Sequence, residues 1–381
     1  MFLPAQPQDF AFMERAVHLA QATQYRTSPN PSVGCVLVKN GVVIGEGATQ
    51  AAGGDHGEID ALKNAAKRGF DPRGATAYVT LEPCNHTGRT GPCSSALLAA
   101  GVARVVAALE DPNPLTAGAG LRRLQSGGVQ VTVGVAGAQA ASVVMGFLKR
   151  MATGLPWVRL KVAASLDGFV ALPNGQSQWL TGLAARRDGH YGRACACAVV
   201  TGSGTVLADN PRLDVRLFDT PRQPLRVVLD TQLRTPPSAA LFAVPTPILL
   251  LHACDDAVKI SALQAAGAQL EALPKSGNHL NLRAALQALG ARGLNTLHLE
   301  CGGRLNGAFL AAGLVDEIVL YQAPMLLGAG LTWASSQENF THLDPIPRLG
   351  LQSVQRLADP SEQTADTKLV LHTPHTFQWS S

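Results

Sequence analysis

Three residues of this chain have the types and spacing of metal ligands, and a fourth stands where a proton carrier would be needed. His56-Gly57-Glu58 is followed by Pro83-Cys84 and, after eight intervening residues, by Cys93. One imidazole and two thiolates suit Zn2+ and leave a fourth coordination position for water, whereas a structural zinc site usually takes all four ligands from protein. A carboxylate two residues from the histidine can take a proton from that water and hand it to a ring nitrogen and a departing amine. That is the division of labour in hydrolytic deamination. Zinc lowers the pKa of its water from ~15.7 toward ~7, so a zinc-hydroxide nucleophile is accessible at neutral pH. A single His or Cys would mean little, because each is ordinarily a core or surface residue. The ordered set carries the reading. Glu82 reads either as a site residue or as a turn acid, and Cys35, inside an apolar strand, reads as a small buried hydrophobe.

A second group of candidates lies further along. Leu297-His-Leu-Glu300 reads as a strand, and Cys301-Gly302-Gly303 turns directly into the helical segment from Arg304 to Leu310. A strand, two glycines and a helix start expose N–H groups that favour an anion, although Gly-Gly before a helix is also an ordinary turn. Lys161 to Gly168 leaves a strand for a polar loop, and Ser177, Trp179 and Arg193 follow; Arg193 also reads as a solvated helix end. Thr201 to Pro211 is another strand exit, with Arg216 beyond it. No G-x-G-x-x-G follows a strand with an acid about 20 residues on, so the commonest dinucleotide signature is absent. Nicotinamide binding by another route stays open.

The elements that must position these residues follow from periodicity. Residues 10–24 repeat apolar groups at helical spacing, and Ser28-Pro29-Asn30-Pro31 forces the chain out of the helix. Val33–Val38 and Val42–Gly47 read as strands joined at Lys39-Asn40-Gly41. Helices over 56–68, 93–100, 121–125 and 138–150 alternate with strands over 75–80, 102–108 and 129–133. Beyond Trp157 the rhythm resumes, with strands near 157–162, 197–201, 225–229, 247–250, 296–299 and 315–321. Helices fall near 181–192, 280–289 and 304–312, and strands over 349–356 and 367–371 close the chain. Mostly apolar strands separated by helices predict α/β units whose sheets are covered on both faces. At about 150 residues per domain, 381 residues suggest two. The boundaries are drawn at 1–150, a linker at 151–156, and 157–381.

Composition narrows the classes. With 46% apolar and 15% charged residues a large core is expected and global disorder is not. The net charge of +4 is scattered without a basic stripe, which argues against a nucleic-acid partner while leaving small anions open. Seven cysteines, an odd number, favour reduced thiols or metal ligands over a disulfide framework. No run approaches 18 apolar residues, and the first residues lack the basic and apolar regions of an export signal, so neither a membrane span nor secretion is expected. A cytoplasmic enzyme is the expectation.

Residues 10–150 resemble the zinc-dependent cytidine and nucleobase deaminase superfamily. The longer match is Pro29-Asn-Pro-Ser-Val-Gly-Cys35, His56-Gly-Glu58 and Thr80-Leu-Glu-Pro-Cys-Asn-His-Thr-Gly-Arg-Thr-Gly-Pro-Cys93. It is similar to the bifunctional riboflavin-biosynthesis deaminase/reductases, as are Lys161 to Gly168, Ser203 to Pro211 and Glu300 to Leu305. The resemblance implies a cytidine-deaminase-like three-layer domain followed by a dihydrofolate-reductase-like α/β domain. It implies Zn2+ on His56, Cys84 and Cys93, with Glu58 catalytic. Asn30, His86 and the loop residues Asn85, Gly88, Arg89 and Thr90 would face the substrate. It further implies NADPH held by Ala163, Trp179, Thr205, Asp209, Thr231, Gly302, Gly303, Arg304, Leu305 and Asn306. Ser177, Arg193, Leu213, Arg216 and Glu300 would hold a phosphorylated pyrimidine ribosyl substrate. Arg193 and Arg216 make chemical sense as a phosphate clamp, because guanidinium presents a rigid donor fork. The implied reactions are deamination of a diaminopyrimidinone nucleotide and reduction of its ribosyl group to ribityl, with a homo-oligomer as the usual assembly.

Departures and alternatives accompany this reading. Gly57 stands where Ala is expected and Gly91-Pro92 where Pro-Pro is expected; both look like spacers, Gly57 costing the helix ~1 kcal/mol against Ala. Asn210 stands where an acid often follows Asp209, which would weaken the reductase if that acid mattered. The proton donor in the reduction is unassigned: Lys161 is a candidate, and Asp209 could instead orient the sugar. A nucleoside or tRNA deaminase would predict a basic groove or a short C-x-x-C. A zinc-stabilised scaffold would not need Glu58. A second domain that binds NADPH without turnover is a third alternative.

Overall fold

The computed structural model describes residues 2–86, 91–114, 116–335, 342 and 346–379. The chain divides into two compact units, the first running to Thr153 and the second from Gly154 to Gln378, with Trp379 grouped with the first.

The first unit comprises α1 (Pro7–Thr27), β1 (Gly34–Lys39), β2 (Val42–Ala48), α2 (Gly57–Lys67), β3 (Thr76–Val79), α3 (Cys93–Ala99), β4 (Arg104–Ala107), α4 (Ala119–Ser126), β5 (Gln130–Val133) and α5 (Gly137–Thr153). Its sheet runs β2-β1-β3-β4-β5. The hairpin expected at Lys39-Asn40-Gly41 forms, antiparallel, with Asn40 and Gly41 both at positive φ. Strands β3, β4 and β5 are parallel. Strands β3 and β4 are buried almost end to end, as a sheet covered on both faces requires, and the edge strand β5 is buried at its middle two residues. A buried ion pair ties α1 to the sheet: Arg104 of β4 donates twice to Asp9, which also accepts from the Tyr78 hydroxyl. Helix α5 continues three residues past the expected stop. Thr153 Oγ1 donates to the Lys149 carbonyl and the helix ends at Gly154, at φ 73°. The connection to the next strand is therefore residues 154–156, shorter than the expected linker.

The second unit comprises β6 (Trp157–Ser165), β7 (Phe169–Ala171), α6 (Leu183–Cys195), β8 (Ala198–Gly202), α7 (Ser203–Asp209), β9 (Leu225–Leu229), β10 (Ile248–His252), α8 (Ala257–Ala265), β11 (Ala268–Ala272), β12 (Lys275–Ser276), β13 (His279–Leu280), α9 (Leu282–Ala291), β14 (Thr296–Leu299), α10 (Gly303–Ala311), β15 (Glu317–Ala323), β16 (Leu331–Thr332), β17 (Gly350–Ala358) and β18 (Ala365–His372). A nine-stranded sheet runs β11-β10-β9-β8-β14-β6-β15-β18-β17. It is parallel through β15, and β18 and β17 close it antiparallel. The strand exit expected after Thr201 becomes helix α7, and α8, β11 and the short pairs β12–β13 and β16–β7 were not anticipated.

The pleat gives this sheet an apolar core on each face, and on the central strands β6 and β14 one face carries charged side chains instead. On β6, Val158, Leu160, Val162 and Ala164 join Leu286, Leu289 and Phe309 in the main core. The alternate residues Arg159 and Lys161 point the other way. On β14, Leu297 and Leu299 enter that same core while His298 and Glu300 share the charged face. Helix α6 covers this second face.

Candidate active sites

The zinc ligands expected from sequence come together at two helix starts. His56 is the N-cap of α2, and Cys93 is the first residue of α3. Cys84 Sγ lies 3.6 Å and Cys93 Sγ 3.4 Å from His56 Nδ1. A tetrahedral ion about 2.3 Å from sulfur and about 2.0–2.1 Å from nitrogen would set those atoms about 3.6 Å apart. The donor set and its spacing fit zinc. The Cys93 amide donates to Cys84 Sγ at 3.4 Å and the Ser94 amide to the Cys84 carbonyl at 3.2 Å, so α3 holds Cys84 by side chain and backbone together. The two thiols titrate as a pair. Their mutual hydrogen bond pulls Cys84 down to about 4, helped by His56, and pushes Cys93 up. A divalent cation lets both be thiolates.

Glu58 is buried in the first turn of α2. Burial, then the Cys84 charge, pushes its carboxyl up to about 7. Cys35 is fully buried, and burial pushes its thiol well up, as expected of an inert core cysteine.

Glu82 resolves as a clamp. Its buried carboxylate accepts from the amides of Asp111 (3.1 Å), Gly118 (2.9 Å), Gly120 (2.9 Å) and Leu121 (3.3 Å). It thus satisfies the open start of α4 and pins the strand exit that carries Pro83-Cys84. The Gly118-Ala-Gly120 approach to α4 was the available signal. Gly57, too, is more than a spacer, because a Cβ there would lie 2.6 Å from the Val33 carbonyl oxygen. The first turn of α2 sits directly on the entry to β1.

Of the expected substrate-facing residues, His86 is exposed, with Nδ1 3.5 Å from Thr116 Oγ1. Asn85 is fixed by Ser94, whose hydroxyl donates to Asn85 Oδ1 at 2.9 Å. Gly88, Arg89 and Thr90 lie outside the described residues. Asn30 follows α1, its amide on the Thr27 carbonyl, and no described contact joins it to the metal ligands. The sequence reading missed Asp111, which burial and then the Glu82 and Cys84 charges push up to about 6, beside His86.

In the second unit the charged sheet face and α6 enclose a cluster. Arg193 Nη2 donates to Glu300 Oε2 at 2.8 Å, its Nε donates to Oε1 at 2.5 Å, and its Nη1 donates to the Asp214 carbonyl at 2.8 Å. Arg193, in the last turn of α6, is thus held by protein acceptors and is not solvated. There it orients Glu300. Burial alone would raise the Glu300 carboxyl, but the Arg193 charge and fork hold it well below the usual range. Burial and Arg193 lower the Lys161 ammonium, against the pull of Glu300. Arg216 is exposed and pairs with Asp214 at 2.7 Å, and its amide donates to His190 Nδ1 at 3.2 Å. Leu213 is buried at φ 55° on the same turn.

The expected cofactor residues divide. Thr205, Gly302 and Leu305 converge where β8 and β14 end side by side. A Cβ on Gly302 would meet Thr205 Oγ1 at 3.7 Å, and one on Gly202 would meet Leu305 at 2.9 Å. Gly302 is exposed at the start of α10, whose first turn has no side-chain cap. Open amides at the carboxyl ends of adjacent parallel strands fit a dinucleotide phosphate. Gly303 and Asn306 also make close contacts within the chain. A Cβ on Gly303 would lie 2.4 Å from the Thr332 carbonyl oxygen, and Asn306 Nδ2 donates to the carbonyls of Cys301 (3.1 Å) and Trp333 (2.7 Å). Arg304 is exposed. Thr231 Oγ1 accepts from the Leu280 amide at 3.3 Å. Ala163 packs with Ala185 and Tyr321, and Trp179 is exposed beneath the Arg186 guanidinium, 4.6 Å from its ring centroid. Ser177 is half-buried, and Asp209 is exposed at the end of α7. Asn210 takes the left-handed C-cap of α7, and its Oδ1 accepts from the Ala240 amide at 2.7 Å. The left-handed cap is a conformation that Asn adopts readily.

Comparison with known proteins follows the same division. Residues 6–109 match the cytidine and deoxycytidylate deaminase zinc-binding region, and residues 156–360 match the RibD C-terminal domain. The chain is 42% identical over 362 residues to the riboflavin biosynthesis protein RibD of Escherichia coli (strain K12), covering 92% of this chain and 97% of that protein. The Acinetobacter baumannii RibD structure superposes with a TM-score of 0.85 at 40% identity, covering 96% of this chain and 99% of that one. The Thermotoga maritima diaminohydroxyphosphoribosylaminopyrimidine deaminase/5-amino-6-(5-phosphoribosylamino)uracil reductase gives 0.83 at 30% identity, covering 96% and 98%.

Proposed function

The chain belongs to the RibD family, whose members join a zinc-binding deaminase to a reductase in riboflavin biosynthesis, and from that premise we propose how its own side chains divide the work. The first unit deaminates 2,5-diamino-6-(5-phosphoribosylamino)pyrimidin-4(3H)-one to 5-amino-6-(5-phosphoribosylamino)uracil. The second reduces the ribosyl group of that product to ribityl. The observation that carries this reading is the buried Glu58 carboxyl beside three ligands at tetrahedral spacing.

His56, Cys84 and Cys93 would hold the zinc, which when bound supplies a Lewis acid that brings the pKa of water toward about 7. The Glu58 carboxylate takes the proton released by the attacking water and delivers it to the ring nitrogen and the departing amine. A carboxyl lifted by burial to about 7 exchanges protons in both directions near neutral pH, and a neighbouring cation would pull it down from there. Glu82 and the first amides of α3 keep Cys84 in register with His56. His86, exposed beside the buried Asp111, is free to meet the pyrimidine or its ribose phosphate.

NADPH would lie across Thr205, Gly302 and Leu305 with a phosphate on the open first turn of α10, and it supplies the hydride when bound. Glu300, locked by Arg193, presents an oriented acceptor to the sugar hydroxyls. Lys161, on the same charged face and lowered by burial, is the group placed to give up a proton to the sugar oxygen. Arg216, exposed and only partly neutralised by Asp214, is the cation left to meet the substrate phosphate. The test uses purified full-length protein given the diaminopyrimidinone nucleotide with and without NADPH, with ammonia and NADPH loss followed separately. Both signals are expected with NADPH and ammonia alone without it. Ammonia with no NADPH loss would remove the reductase assignment.

A further inference from the structure

The charged face of the second sheet holds one buried titratable group with no assigned duty. His298, on β14, is 1% exposed, and neither ring nitrogen has a hydrogen-bond partner among the described residues. Its backbone pairs with Arg159 of β6 on one side and Val199 of β8 on the other, so its ring shares the face of Glu300, two residues on. His298 Nε2 lies 3.4 Å from Glu300 Oε1. The ring is also pressed against α6, where a Cβ on Gly192 would come within 2.9 Å of His298 Cε1. Glycine inside a helix costs stability, and here it makes the room that the imidazole occupies.

The bonding of Glu300 shows what the ring can do. Its backbone is fixed to β8: its amide donates to the Val200 carbonyl at 2.9 Å, and its own carbonyl accepts from Thr201 Oγ1 at 2.7 Å. The carboxylate offers about four acceptor directions. Arg193 uses two, one on each oxygen. We propose that His298 is a positioning residue for the reduction: its Nε2–H takes a third direction, on Oε1, and fixes the carboxylate plane so that the remaining one faces the substrate. A buried imidazole left without a partner is costly unless its bond tightens when the site is loaded. Burial, helped by the Arg159 and Arg193 charges and against the pull of Glu300, disfavours the imidazolium, so the ring donates as a neutral group. This rests on the reading of Glu300 as the residue that holds the substrate.

The test measures steady-state reduction of 5-amino-6-(5-phosphoribosylamino)uracil by full-length protein, with NADPH affinity by equilibrium titration. His298→Leu, which keeps bulk and removes the donor, should raise KM about tenfold with a smaller change in kcat and unchanged NADPH affinity. His298→Gln, whose amide nitrogen can reach where Nε2 sits, should restore most of it. Gly192→Ala, which displaces the ring and leaves the histidine in place, should also raise KM. A wild-type KM in His298→Leu, or equal impairment in the Leu and Gln variants, would overturn the proposal. If the Leu variant loses NADPH binding through misfolding, the Gln and Gly192→Ala variants decide. A wild-type KM in Glu300→Gln would remove the Glu300 reading and this inference with it, whereas a raised KM there beside a normal His298→Leu would remove this inference alone.

Discussion

The zinc site and the reductase cluster are built on opposite principles. In the first, all the chemistry sits in four side chains, and its ligands are 28 and 37 residues apart in the chain. In the second, the central pair Arg193–Glu300 is 107 residues apart and works through a sheet face, two helix starts and backbone amides. A metal demands particular ligand atoms at fixed distances, so residue type and spacing announce it. A cofactor cradle demands backbone shape, and Gly, Thr and Asn announce nothing by themselves. Each site should therefore fail in its own way, and independently of the other.

The largest effect that would break the comparison lies at the metal. Cys84→Ser should lower zinc affinity by more than the about 10–100-fold that loss of an outer partner costs. It should abolish ammonia release and leave NADPH oxidation with the deaminated substrate intact. Metal content beside the two rates checks it.

Next comes the Arg193–Glu300 ion pair. Arg193→Ala removes two charge-assisted hydrogen bonds from the half-buried Glu300 carboxylate, at a cost of about 1.5–3 kcal/mol, so the second unit should unfold at lower denaturant while the deaminase activity persists. The pH dependence has a definite sign. The folded Glu300 carboxyl lies below its unfolded value of about 4.3. The stabilisation is complete above that value and is lost only as pH falls through the lower folded one. Urea midpoints from pH 7 to 3 should show the wild-type advantage over Arg193→Ala narrowing only at the acid end. An advantage that vanished above pH 5 would contradict the pairing.

A smaller effect belongs to Glu82. Glu82→Gln keeps the shape but weakens four amide contacts, and zinc affinity should fall about tenfold, measured by competition with a chelator. Gly57→Ala is the smallest. The helix gains ~1 kcal/mol, but the new methyl meets the Val33 carbonyl, and crowding of that kind costs about 1–3 kcal/mol. A net loss of about 1 kcal/mol in the first unit is expected by denaturation, and a gain would show that the backbone gives way freely.

The same contrast explains what could be read from the chain. The element order of the first unit was legible, because hydrophobic periodicity separates strands from helices, and so was the His56–Cys84–Cys93 cluster; the second unit's α8, β11 and short strand pairs were not. Helix α7 was hidden because Ser203-Gly-Thr205 reads as a turn. That Arg193 holds Glu300, that Gly303 and Asn306 touch residues 332–335, and that His298 lies under Glu300 depend on register between distant strands. No local pattern encodes that register.

The most direct measurement is a crossed assay on Glu58→Gln with full zinc. Given the diaminopyrimidinone nucleotide and NADPH, this variant should release ammonia about 10²–10⁴-fold more slowly than wild type and consume almost no NADPH. Given the deaminated uracil compound, it should oxidise NADPH at the wild-type rate. Ammonia release at the normal rate would contradict the account.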